Sequence, residues 1–160
     1  MPNAQVDQLR AAVRRRRNLL QLLSLVELRH LCGDKAGGEA HDAVRLRAFF
    51  LDDYHPILGS SGDVDSGADA ATRDYADDEF KDPTFVTYRR TPTSIVMAAS
   101  GKRIAETGRF EGLWNKPDGT MRRTGIYLAM WVPSAGTWRV KSEAFVTLAC
   151  TGSKACDQVD

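Results

Sequence analysis

The sequence predicts an α+β domain in which N-terminal helices pack on one face of a curved antiparallel sheet. Two observations lead there. The chain has 160 residues, the size of one core rather than two. Its first half carries apolar residues at helical spacing, while its second half is a series of Val-, Ile-, Thr- and aromatic-rich segments divided by turn signals. The apolar period thus changes from 3.6 to 2 along the chain. Helices followed by a strand meander give the α+β class.

Taken in order, residues 6–31 contain no Pro or Gly, and Leu19, Leu22, Leu23, Val26 and His30 recur at helical intervals. That predicts a long amphipathic helix with an apolar stripe facing a core. Arg10 and Arg14 to Arg17 would stand on its outer face as solvated charges. The basic run before the leucines imitates a secretory leader, but Gln21, Ser24 and Glu27 interrupt it, and Arg29 and His30 precede any cleavage site. It is also too short to span a bilayer. The expectation is a soluble, cytoplasmic protein without a membrane partner. After a loop at 33–38, a second helix is expected over 39–51, with Val44, Leu46, Phe49 and Phe50 turned inward. Pro56, Gly59 and Gly62 then leave room for a short irregular strand. A third helix is expected over 68–80, capped by Asp65-Ser66 and closed by Asp82-Pro83.

The second half predicts strands over 84–90, 94–99, 103–114, 121–132 and 138–150. Turns are signalled at Ser100-Gly101, at Lys116-Pro117-Asp118-Gly119 and at Pro133-Ser134-Ala135-Gly136. Connections this short force antiparallel neighbours. The whole chain, 1–160, reads as one domain with 151–160 as a tail. Lys and Arg total 22 against 21 Asp and Glu, so no global field indicates a nucleic-acid partner. Cys150 and Cys156 are near enough for a local clasp, yet with nothing else suggesting export they read as separate thiols. No CxxC pair or His-rich tract is present, so no metal is expected. GxSxG, Walker and GxGxxG motifs are absent as well.

Three stretches carry a resemblance: AETGRFEGLW at 105–114, GIYLAMW at 125–131 and WRVKSEAFV at 138–146. With the element order, they resemble the SnoaL-like, NTF2-like superfamily, nearest to its DUF4440-type branch, over about 42–150. The resemblance implies a cystatin-like α+β cone enclosing an apolar pocket, chemistry without a cofactor, and a function among isomerases, dehydratases, cyclases and pure binding modules.

Strand alternation then asks which polar groups enter the pocket. It sets Ile104, Glu106, Gly108 and Phe110 on one face, and a turn at 116–119 brings Glu106 beside Ala129 and Gly108 beside Tyr127. Gly125, Tyr127, Ala129 and Trp131 form the matching set. The last strand has two registers. A simple hairpin about Ser134 and Ala135 turns Trp138, Val140, Ser142 and Ala144 inward, and one β-bulge would exchange them for Arg139, Lys141, Glu143 and Phe145. The resembling isomerases correspond to Glu143, Phe145 and Thr147 facing the pocket, which is the register adopted.

Glu106 and Glu143 would then both approach an apolar cavity, where desolvation and mutual repulsion raise carboxylate pKa values toward neutrality. They are the candidate proton carriers. The alternative is that each is a half-buried ion held by Arg103, Arg109 or Arg139. His55 and Tyr127 are candidates to polarise an oxygen, and Tyr54, Phe110, Trp131 and Phe145 are candidate substrate-binding residues. Neither established constellation of the superfamily is carried over. Leu58 and Thr124 or Gly125 stand where ketosteroid isomerase has its acids, and scytalone dehydratase relies on two pocket histidines and an Asp, whereas of the 3 histidines here only His55 is placed for the pocket. The expected function is binding of a small hydrophobic molecule, with isomerase, dehydratase or cyclase chemistry on an apolar carbonyl compound. The rival is a non-catalytic homodimeric or ligand-sensing module, suggested by outward-facing Ile126, Leu128 and Met130.

Overall fold

A computed structural model describes residues 46–65, 67–74 and 80–158. The β-branched and aromatic segments form five strands: β1 Phe50–Ile57, β2 Phe85–Met97, β3 Ile104–Lys116, β4 Gly119–Ser134 and β5 Thr137–Thr151. Among the described residues, a helix, α1 Ala68–Asp74, stands between β1 and β2, and a 3-10 turn at Lys154–Gln158 follows β5. The strands make a single curved sheet in the order β1-β5-β4-β3-β2.

The expected sheet was antiparallel throughout. From β2 to β5 it is, because tight turns reverse the chain each time. β1, however, lies parallel to β5, so the sheet is mixed. No short connection joins β1 to its neighbour, and its direction is therefore free of that constraint. Pro56 is accommodated because β1 is an edge strand, where alternate N–H groups point away from the ladder.

Three further boundaries differ from expectation. The helix expected to reach residue 51 gives way to strand at Phe50, whose ring stacks on Tyr54 with centroids 4.1 Å apart. The Phe49 carbonyl accepts the Val140 N–H at 2.8 Å, so pairing with β5 overrides local helical spacing. The strands expected at 84–90 and 94–99 are one strand, interrupted between Pro92 and Ser94 by an irregularity in its pairing with β3, where proline cannot supply a ladder N–H. The cap of α1 falls on Gly67, whose carbonyl accepts the Ala71 N–H at 3.2 Å. The helix expected over 6–31, most of that over 39–51 and part of that over 68–80 lie outside the described residues.

The concave face of the sheet carries the main core, where Tyr54, Ala68, Ala129, Trp131 and Val140 are fully buried. A smaller cluster of Phe85, Trp114, Met121 and Cys156 closes the far end. Cys150 and Cys156 are not separate thiols but a disulfide: the 3-10 turn folds back to bring their Cα atoms to 5.3 Å. Among the described residues, no helix is long and apolar enough to cross a membrane.

Candidate functional site

The site is built by parity along three adjacent strands. Glu106 pairs with Ala129, and Gly108 with Tyr127, as the β3–β4 turn predicts. In β5 the register shifts between Val140 and Ser142, leaving Lys141 as the extra residue. That bulge swaps the faces, so Glu143 and Phe145 point inward opposite Ala129 and Tyr127. Of the two registers weighed, this is the one adopted from the resemblance.

Both carboxylates are almost wholly buried, Glu106 at 2% and Glu143 at 3% exposure. Buried charges require partners, and each oxygen has one. The Tyr127 hydroxyl donates to Glu106 Oε1 at 2.6 Å, and the Trp131 indole N–H donates to Oε2 at 3.0 Å. The Tyr54 hydroxyl donates to Glu143 Oε2 at 2.7 Å, while the Arg90 guanidinium makes an ion pair with Oε1. Arg90 also stacks over the Tyr127 ring, 4.2 Å from its centroid. Gly108 makes room for that ring: a Cβ there would stand 2.6 Å from Tyr127 Cε1.

Burial raises the Glu106 carboxyl above its ordinary value. The Tyr127 and Trp131 hydrogen bonds and the nearby Arg90 charge only partly offset this, and the like charge of Glu143 adds to it. Burial also pushes the Tyr127 phenol up, so it stays a hydrogen-bond donor across the physiological range. For Arg90, burial opposes the charge, but Glu143 outweighs it and holds the guanidinium protonated. The cluster is thus an ion pair beside a carboxyl whose pKa burial raises.

Next to it lies a cavity of about 310 Å³. Tyr88, Phe110, Trp114 and Phe145 form its aromatic wall, with Arg123, Asp65 and Thr147 among its polar groups. Phe145 links the two regions, lining the cavity while its ring packs 6.1 Å from that of Tyr127. Glu106 and Glu143 do not line this cavity themselves.

Of the residues singled out from sequence, the structure brings Glu106, Glu143, Tyr127, Tyr54 and Trp131 into one network. It sets Phe110 and Phe145 on the cavity wall. His55 is not brought to them. It is exposed and lies beside Ile57, Leu128 and Ala144, in a hollow on the opposite face of the sheet, because alternation turns its neighbours Tyr54 and Pro56 inward instead. Arg103 and Arg109 are exposed, and neither they nor Arg139 holds a glutamate of the pair. Arg90 and Arg123 were missed. In β2 a pairing irregularity between Phe85 and Thr87 breaks strict alternation and turns Tyr88 and Arg90 inward, which no count from Phe85 could reveal. Arg123 had a readable signal, since it shares parity with Gly125 and Tyr127. No group of His, Cys, Asp and Glu suited to a metal ion occurs among the described residues.

Solved structures share this architecture. A hexachlorocyclohexane dehydrochlorinase (LinA) type 2 matches with a TM-score of 0.60 at 17% identity, over 92% of this chain and 93% of that one. A scytalone-dehydratase-like protein from Novosphingobium aromaticivorans matches with a TM-score of 0.58 at 15% identity, over 96% and 92%. An NTF2-like protein from Cytophaga hutchinsonii gives a TM-score of 0.55 at 15% identity, over 84% and 98%. No family model and no curated protein matches the chain, which leaves the DUF4440-type branch as a resemblance. Likeness at this level of identity speaks for architecture and leaves chemistry to individual residues; on that ground, the chain has the NTF2-like fold.

Proposed function

We propose that this chain binds a small, flat, apolar molecule in the cavity on the concave face of its sheet. The observation that carries this reading is the aromatic wall of Tyr88, Phe110, Trp114 and Phe145 around about 310 Å³ of space, within the range of about 300–1,000 Å³ usual for small-molecule pockets. The extension is to acid–base chemistry on an apolar carbonyl compound, and neighbours of this fold named as a dehydrochlorinase and a scytalone-dehydratase-like protein support an elimination-type reaction in such a pocket. In that extension Glu106 carries the proton, Tyr127 orients it, Trp131 fixes the carboxyl, and Phe145 swings to join the cavity to the cluster. The Arg90–Glu143 pair, steadied by Tyr54, is the charged floor against which Tyr127 is held.

The binding step is tested by calorimetric titration with 2-acetylnaphthalene, a flat apolar carbonyl compound. Wild-type protein should bind it and Thr147→Phe, which fills the cavity, should not; binding retained in Thr147→Phe overturns the assignment. Proton transfer is tested in the same samples by NMR in D₂O, reading exchange of the hydrogens α to the carbonyl. Exchange that survives Glu106→Gln removes Glu106 from the chemistry.

A second reading is favoured by the outer face. Ile126, Leu128 and Val146 are 45%, 49% and 48% exposed on adjacent strands, an apolar surface of the kind that pairs with a partner. We propose that a second copy of this chain covers it, giving a homodimer with the ligand cavities facing away from the interface.

A further inference from the structure

The cavity wall holds a cation, Arg123, that no carboxylate bonds among the described residues. Arg123 lies on β4 between Met121 and Gly125, on the inward parity, and lines the cavity. Its guanidinium carbon stands 5.1 Å from the centroid of the Trp114 ring, which holds the side chain against the wall. Its Nε is buried without a hydrogen-bond partner, and no carboxylate bonds its guanidinium among the described residues. The contrast with Arg90 is instructive: on the same concave face, that guanidinium is paired with Glu143. A buried donor left unmade is costly, and more so on a charged group. Arg90 Nε, Arg139 Nε and Thr87 Oγ1 are also buried without partners, but none of these three residues lines the cavity.

We infer that the cavity takes a flat apolar or aromatic molecule bearing a carboxylate, with Arg123 as its counter-ion. This rests on the cavity reading above and names the ligand class for it. A planar guanidinium matches a carboxylate through two parallel N–H bonds, and Phe110, Phe145 and Tyr88 offer ring faces and edges to the apolar body. Among the described residues the carboxylate on the wall, Asp65, follows β1. In the strand order, β5 separates β1 from β4, so roughly 10 Å lies between their axes at about 4.8 Å per strand. The ligand's acid group therefore points to the β4 side, away from Asp65.

The test compares 2-naphthoate with 2-acetylnaphthalene, which have similar shape and differ in charge, by calorimetric titration at neutral pH. Wild-type protein should bind the carboxylate about tenfold or more tightly than the neutral probe, the gain of one charge-assisted contact. That preference should shrink as salt is raised. Arg123→Met should abolish it while leaving the neutral probe within about twofold, and Arg123→Lys should keep part of it. Equal affinities in wild type, or a preference that persists in Arg123→Met, overturn the counter-ion role while the cavity reading stands. Binding of neither probe overturns both.

Discussion

Glu106 sits where two demands on a carboxyl conflict. Two donors, from Tyr127 and Trp131, favour its charged form, and burial disfavours it more strongly, so its pKa is raised. Folding then retains a proton that the open chain releases. The stability this group contributes is fully present below its ordinary value of 4.5 and is lost as pH rises through the folded value. Glu106→Gln keeps both links, because the Tyr127 hydroxyl can turn from donor to acceptor for the new amide. The expected outcome is a change within about 1 kcal/mol at low pH, together with a flatter decline of stability on the alkaline side. Urea denaturation at a series of pH values from 4 to 8, at about one-unit steps, measures it. An unchanged pH slope in the variant would assign the titration to another group. Glu106 and Tyr127 were legible because β3 and β4 alternate without interruption and a short turn fixes their partners. Arg90 was not, since its face depends on an irregularity with no local marker in Phe85-Val86-Thr87.

At the scale of elements, the β4–β5 hairpin decides which side chains reach the site. Its two-residue turn is Ala135-Gly136, with φ of 48° and 82°, both in the left-handed region. Two-residue hairpins use this geometry because it matches strand twist, and Asn-Gly suits it best. Alanine at the first position carries a Cβ penalty there. Ala135→Asn should therefore raise stability by about 1 kcal/mol, seen as a higher denaturation midpoint with an unchanged slope. A midpoint at or below wild type would mean that the turn relaxes elsewhere. The sequence signalled this turn but centred it on Ser134 and Ala135. Moving it one position shifts every partner by two and leaves the faces as they were. The bulge at Lys141 exchanges them ahead of Glu143, and nothing in Val140-Lys141-Ser142 announces a bulge. Glu143 therefore reached the site through the resemblance rather than through pattern.

For the whole molecule, the meander of β2 to β5 was readable because each strand is bounded by Gly, Pro or Asp and joined to the next by a short turn. The position of β1 was not, because its partner is set by packing of Phe50 and Tyr54 into a core made by distant strands. The outer face belongs to this scale. Sedimentation velocity at micromolar protein should give a dimer, and Leu128→Lys, placing a charge amid Ile126 and Val146, should give a folded monomer. A wild-type monomer would leave that face without a self-association role.

The parallel seam between β1 and β5 also sets the order in which the chain can be completed. Phe50 meets Val140 and Pro56 meets Glu143, so β1, made before the other described strands, must wait for β5, made after them. Until then its backbone groups and two aromatic rings have no ladder to join, while the hairpins behind it need only local closure. The nascent chain is most exposed to misassociation in that interval, and the segment that seals the sheet is the one that Tyr54 locks onto Glu143 as it arrives.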